Sequence, residues 1–161
     1  LLAGLRGKRI RKIACGAFHT LAITDLSNIY SWGRGNSFRL GHGDKQDQPA
    51  PKLVETLIGK KVADVAAGSW HTVAVTLDSG VVYAWGGCSK GQLGLGETRE
   101  EYVTCLVRKR HVASGKWLTA GGTWVRQDFP TVVRSLQSES IVGVQCGEEF
   151  TIVISGTCRC A

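Results

Sequence analysis

In 161 residues the chain has no methionine, three prolines and no apolar run of 18 residues. The missing run excludes a membrane-spanning helix, which needs about 20 mostly apolar residues. The first residues also lack the apolar core of a signal peptide. Starting at Leu1 with no methionine anywhere, the chain reads as a piece of a longer product. No stretch has convincing helical periodicity. The six cysteines show neither a paired zinc spacing nor a regular disulfide framework, so thiols in a reducing cytoplasm or nucleus are expected. Gly86-Gly87-Cys88-Ser89-Lys90-Gly91 lacks the Gly-Lys-Ser/Thr ending of a phosphate loop and opens no helix. No cofactor and no metal are expected.

What is present is a repeat. Ile13-Ala14-Cys15-Gly16-Ala17-Phe18-His19-Thr20 is followed by Ile29-Tyr30-Ser31-Trp32-Gly33 and then Leu40-Gly41-His42-Gly43. The same landmarks return as Val65-Ala66-Ala67-Gly68-Ser69-Trp70-His71-Thr72, Val82-Tyr83-Ala84-Trp85-Gly86 and Leu93-Gly94-Leu95-Gly96. Gly16 and Gly68 lie 52 residues apart, and Trp32 and Trp85 lie 53 apart. A fixed step of this size marks a repeat architecture, in which each unit buries its faces against its neighbours.

A third copy opens at Val144-Gln145-Cys146-Gly147-Glu148-Glu149-Phe150-Thr151, with Phe150 in the histidine slot, and the chain ends at Ala161 before a further Trp-Gly. Pro51 and Pro130 stand at matching places, each 17 residues before the next repeat's glycine, which puts the excess length of repeat two between Gly96 and Pro130. The expected organisation of 1–161 is repeat one at about 10–60, repeat two at about 61–137 with an insertion at 97–129, and a partial repeat three at about 138–161. The insertion, with neither landmarks nor period, is expected outside the blade as a surface loop; a retained noncoding stretch would also read this way.

Inside each repeat the pattern is β. His19–Thr24 and His71–Thr76 are β-branched and apolar, Asp25-Leu26-Ser27-Asn28 and Asp78-Ser79-Gly80 supply turn chemistry, and Ile29–Trp32 and Val81–Trp85 resume the strand character. A strand precedes each hairpin at Arg9–Ala14 and Lys61–Ala66, and another candidate is Lys52–Leu57. About four antiparallel strands per repeat of about fifty residues describe a β-propeller blade, so the fold class is all-β, with about three blades' worth of chain.

The series Gly-x-x-His-Thr, Tyr-x-Trp-Gly and Gly-Gln-Leu-Gly-Leu-Gly (Gly91 to Gly96) resembles the regulator-of-chromosome-condensation (RCC1-like) repeat family, with Phe38-Arg39-Leu40-Gly41-His42-Gly43 as the departing first copy. The resemblance covers two repeats and a partial third. It implies part of a seven-bladed propeller whose remaining blades come from a longer chain or from self-association. Family members include an exchange factor for a nuclear GTPase, repeat domains of HECT-type ubiquitin ligases and a plant ultraviolet receptor. That receptor's Gly-Trp-Arg-His-Thr slots read here Gly16-Ala17-Phe18-His19-Thr20 and Gly68-Ser69-Trp70-His71-Thr72, so photoreception is not implied.

The landmarks Gly16, His19, Trp32, Gly68, His71, Trp85 and Gly147 are read as structural. A group needed for chemistry occurs once, whereas a group needed for blade geometry recurs; each histidine is expected to bond the backbone of a neighbouring turn. Cys15 and Cys146 share a slot with Ala67, which reads as a small buried position. His42 and His111 have no nucleophile to pair with.

Net charge +7 favours acidic partners. The basic clusters are Arg6, Lys8, Arg9, Arg11 and Lys12 and, in the insertion, Arg108-Lys109-Arg110. Arg108, Lys109, Arg110, Trp117 and Trp124 are the candidate partner-binding residues, since aromatics enrich binding hot spots and lysine and arginine neutralise phosphate. The ordinary alternative is solvated charge on blade edges. No catalytic residue is expected. The leading function is a non-enzymatic protein-interaction platform. The alternatives are a guanine-nucleotide exchange factor acting on a small GTPase at an acidic chromatin surface, and the substrate-recruiting part of a HECT-type ubiquitin ligase. The expected location is cytoplasmic or nuclear.

Overall fold

The computed structural model describes residues 2–89, 92–95, 104–108, 125–137 and 139–156. Four strands form the first sheet: β1 (Ile10–Cys15), β2 (His19–Thr24), β3 (Ile29–Gly33) and β4 (Gln48–Leu53). They then continue as β5 (Val62–Ala67), β6 (His71–Thr76), β7 (Val82–Cys88), β8 (Thr104–Arg108), β9 (Val125–Val132), β10 (Ile141–Cys146) and β11 (Thr151–Ser155). The sheet orders are β1-β2-β3-β4, β5-β6-β7-β9 and β10-β11-β8. The first two are antiparallel meanders, as blades should be. Among the described residues the helical elements are short 3-10 turns, and no helix is long and apolar enough to cross a membrane.

Register repeats as closely as sequence does. His19 faces Gly33 and Thr20 faces Trp32, while His71 faces Gly86 and Thr72 faces Trp85. A register shift recurs near the start of each first strand, at Ile10/Lys12, Val62/Asp64 and Ile141/Gly143. Gly33 and Gly86 take φ of 109° and 105°, and a Cβ there would lie 2.5 Å from the carbonyl oxygen of Phe18 or Trp70. A side chain would therefore be both strained and blocked, which is why glycine follows each tryptophan.

The core lies between blades rather than within one. Leu21, Ile23, Ile29, Val54 and Leu57 of the first blade meet Val62, Val65, Ala74 and Trp85 of the second. Val73, Val75, Val82, Ala84 and Val133 then meet Ile141, Val144 and Val153 of the third. Asp64 ties all three: it pairs with Lys12, and its other oxygen accepts the Val144 N–H at 3.3 Å. Arg11 donates to the Val62 carbonyl. Two members of the first basic cluster are thus spent on the blade joint. All three prolines stand on outer strands, Pro49 and Pro51 on β4 and Pro130 on β9, where a missing N–H discourages strand addition.

Four expectations are corrected. The strand expected at Lys52–Leu57 is β4 at Gln48–Leu53, followed by a 3-10 turn at Glu55–Leu57; the prolines conceal a strand that, as the outermost, can contain them. Cys15 is exposed rather than buried. Trp32 is only half-buried while Trp85 is fully buried, because a loop of the first blade covers Trp85. The insertion is not wholly outside the blades. Residues 125–129 begin β9, and β8 pairs with β11 in parallel from Thr104↔Thr151 to Arg108↔Ser155. It takes the position that β3 and β7 occupy in their blades, where those strands run antiparallel to β2 and β6.

Candidate interaction face

The turns after β1, β5 and β10 emerge at one end of the blades, carrying Ala17-Phe18, Ser69-Trp70 and Glu148-Glu149. They are pinned from beneath by the recurring histidines. His19 Nε2 lies 2.8 Å from Thr72 Oγ1, and that hydroxyl donates to the Arg39 carbonyl at 2.8 Å. His71 Nε2 lies 3.0 Å from Thr151 Oγ1, which donates to the Gln92 carbonyl at 2.8 Å. Because each threonine proton is directed to a carbonyl, the histidine must donate Nε2–H. The expected backbone contact is present at His71, which meets the Phe150 backbone of the neighbouring turn; the next blade's threonine is a further partner of each ring that the sequence reading did not name. The sequence offered a signal in the threonine that recurs after each histidine slot.

Burial pushes His19 down to about 3, with the Arg39 and His71 charges adding to the effect, and His71 down to about 4. Both rings are neutral at physiological pH, so the relays are fixed structural bonds. Gly16 and Gly68 make room for them: a Cβ on Gly68 would lie 2.2 Å from the His71 ring, and one on Gly16 2.3 Å from the Gly68 carbonyl oxygen.

Above the first relay stands a cluster that sequence reasoning missed. Arg39 is 1% exposed. Its guanidinium lies 4.5 Å from the Trp70 ring centroid and 5.6 Å from that of Phe18. It donates through Nε to the Asn36 carbonyl and through Nη1 to the Ser69 carbonyl, each at 2.7 Å. Arg34, exposed, stands 5.0 Å over the same Phe18 ring. Burial, and next the neighbouring Arg34 charge, lower the Arg39 pKa, while Asp47 raises it. Phe18 and Trp70 remain 45% and 38% exposed, with centroids 6.1 Å apart. The departing loop of the first repeat makes this possible. Arg39 takes the slot of Gln92, and Phe38, in the slot of Gly91, has φ of 61°, a region that bulky residues rarely adopt.

His42 does find a serine. Its Nε2 lies 3.0 Å from Ser31 Oγ, but Ser31 is fully buried and donates its own proton to the Leu40 carbonyl at 2.8 Å. The pair therefore holds a loop and has no nucleophile to offer. A cleft of about 310 Å³ lies between Lys8, Arg9 and the Thr24–Tyr30 hairpin, at the end of the strands opposite the His19 turn. Of the partner-binding candidates, Arg108 closes β8; Lys109, Arg110, Trp117 and Trp124 lie outside the described residues, as does His111. Burial lifts the Cys146 thiol to about 12, which makes it unreactive.

Blades joined by buried histidine relays, with aromatic turns at one end, define a β-propeller repeat module. Models of the regulator of chromosome condensation (RCC1) repeat match residues 27–75 and 79–154, and a second RCC1 repeat model matches 10–39 and 62–92. The chain belongs to the RCC1 repeat family. The longer matched unit joins the outer strands of one blade to the inner strands of the next. The chain is 37% identical over 148 residues to the human E3 ubiquitin-protein ligase HERC2, covering 92% of this chain and 2% of that protein. It is 33% identical over 162 residues to human RCC1 domain-containing protein 1, covering 92% and 43%. The structure of Prp20p from Saccharomyces cerevisiae superposes with a TM-score of 0.67 at 25% identity, over 94% of this chain and 32% of that one. The chain thus spans less than half the length of these relatives.

Proposed function

We propose that the chain is a protein-docking module of the RCC1-like propeller type, acting in the cytoplasm or nucleus without chemistry of its own. The observation that carries this reading is the half-exposed Phe18–Trp70 pair, held rigid over a buried arginine at a blade joint. Rigid aromatics at a rim of loops are what binding hot spots use. The test is a photo-crosslinking residue placed at the exposed Ala17, beside Phe18, and, as control, at the exposed Leu26. Adducts concentrated at position 17, followed by binding of the purified partner, would support docking on this face. Equal labelling at both positions would count against it.

Arg108, Lys109, Arg110, Trp117 and Trp124 are proposed as a second contact, for an acidic surface. Replacing the three basic residues with alanine should reduce the salt dependence of binding by about one unit per lost phosphate contact; an unchanged slope returns them to solvated charge. Two further readings rest on relatives. The Prp20p structure is titled for binding to Gsp1p and histones, which favours assaying nucleotide release from a panel of small GTPases. HERC2 is named a ubiquitin ligase, which favours substrate recruitment, with catalysis supplied elsewhere. Nucleotide release accelerated by the chain would replace docking with exchange as the leading reading.

A further inference from the structure

We infer that the Phe18–Arg34–Arg39–Trp70 cluster binds an acidic side chain of an extended partner segment, with the carboxylate on Arg34 and the flanking apolar residue across the two rings. The inference rests on the docking reading and names the partner's chemistry. Its starting point is a charge the fold does not require. Gln92 fills the corresponding slot of the second repeat with a neutral amide, also fully buried. Yet the first repeat places a guanidinium there, and the hydrogen bonds it makes to Asn36 and Ser69 go to neutral carbonyls. A buried cation costs free energy unless an anion balances it. The ion pairs among the described residues, Lys12–Asp64 and Lys61–Asp78, lie elsewhere.

The nearby acids do not fill this role. Asp47 moderates Arg39 at a distance, but its Oδ1 accepts the Gly35 N–H at 2.8 Å. Glu148 and Glu149 belong to the third blade's turn, whose backbone meets Ser69 through the Ser69 N–H at 3.0 Å from the Glu148 carbonyl. They bound the site on that side and would repel an acidic segment, which sets its path along the first two blades. Two further cations belong to this loop: Lys45 lies 5.2 Å over the Phe38 ring, and Arg34, over Phe18, is exposed. Arg34 is the reachable donor, since Arg39 is covered by the rings; Arg39 supplies a fixed positive charge beneath them. An arginine accepts a carboxylate through two parallel N–H bonds, which gives orientation as well as attraction.

The experiment measures fluorescence anisotropy of a labelled peptide, Glu-Asp-Leu-Glu-Asp-Leu, and of its Gln-Asn-Leu-Gln-Asn-Leu isostere, with the 161-residue chain. The acidic peptide should bind at least tenfold more tightly than the isostere. Arg34→Gln and Trp70→Ala should each weaken it about tenfold, and Arg39→Gln should weaken it severalfold without lowering the melting temperature, because the repeat tolerates Gln92 in that slot. Equal binding of the two peptides, or unchanged affinity in Arg34→Gln, would overturn the inference. If Arg39→Gln fails to fold, the Arg34→Gln and isostere arms still decide. Duplex DNA displacing the peptide from the parent but not from Arg34→Gln would also overturn it, by making phosphate the ligand. A partner crosslinked at position 17 with equal yield in parent and Arg34→Gln would sink the inference while leaving the docking reading intact. The absence of any adduct at position 17 would sink docking on this face itself.

Discussion

The joint between the first and second blades and the joint between the second and third use the same histidine relay but are finished differently. In the first, the Arg39 carbonyl receives two donors, Thr72 Oγ1 at 2.8 Å and Trp85 Nε1 at 3.0 Å. In the second, the Gln92 carbonyl receives Thr151 Oγ1 at 2.8 Å, and β8 runs in parallel where a Trp-Gly strand would have stood. The histidine–threonine bond is therefore made by the second strands of adjacent blades, and the relay ends on the loop carbonyl of Arg39 or Gln92 whether or not a Trp-Gly strand follows. The tryptophan strand adds a second donor and a large apolar body to a joint that the histidine and threonine already define. The third blade goes a step further and has Phe150 in the histidine slot, a ring with no proton to donate to any following threonine.

Removing the tryptophans should separate these contributions most sharply. Trp85→Ala should lose about 3–5 kcal/mol in denaturant unfolding, the range for a fully buried large aromatic. Trp32→Ala, at the half-buried site, should lose less than half as much. Equal losses would show that the loop over Trp85 contributes nothing to its burial.

Next in size are the relays. His71→Ala should cost about 1–3 kcal/mol, by leaving Thr151 without its donor and a cavity beside Gly68. The same histidines set an acid limit. Their folded pKa values, about 3 and about 4, lie below the ordinary 6.5. The unfolded chain thus binds more protons across that window, and stability, complete above about 6.5, falls as pH drops toward 4. In His71→Phe the unfolding midpoint should fall less steeply over this range, by about one proton in the linkage slope. An unchanged slope would mean that His71 is not the neutral buried group described. The smallest effect belongs to the departing loop: Phe38→Gly should be stabilising or neutral, within about 1 kcal/mol, because relief of positive φ is offset by glycine's entropy. A loss above about 2 kcal/mol would show that the Phe38 ring, with Lys45 over it, holds the Arg39 loop in place.

Much of the blade was legible because its constraints are local. The Gly-x-x-His and Trp-Gly landmarks mark points where a side chain would collide with backbone, and such points recur wherever the hairpin recurs. The strands His19–Thr24 and His71–Thr76 were readable to the residue, while their hairpin partners, expected at Ile29–Trp32 and Val81–Trp85, run Ile29–Gly33 and Val82–Cys88. The outer strand was not, since Pro49 and Pro51 disguise a segment that only its edge position lets be a strand. Nor was the Phe18–Arg39–Trp70 cluster: Arg39 and Trp70 lie 31 positions apart along the chain, and nothing in the spacing says that a loop of one blade lies over the turn of the next.

By itself the sequence determined the repeat, the hairpins within it and the identity of the groups that turn and pack each blade, because these depend on contacts within about fifty residues. Only the tertiary structure decided which groups meet across blades. It made His19 a partner of Thr72, buried Trp85 but not Trp32, led β8 into the third sheet and closed two aromatic rings over a buried arginine. Those outcomes follow from stacking one blade on the next, where proximity is set by the angle between sheets and not by distance along the chain.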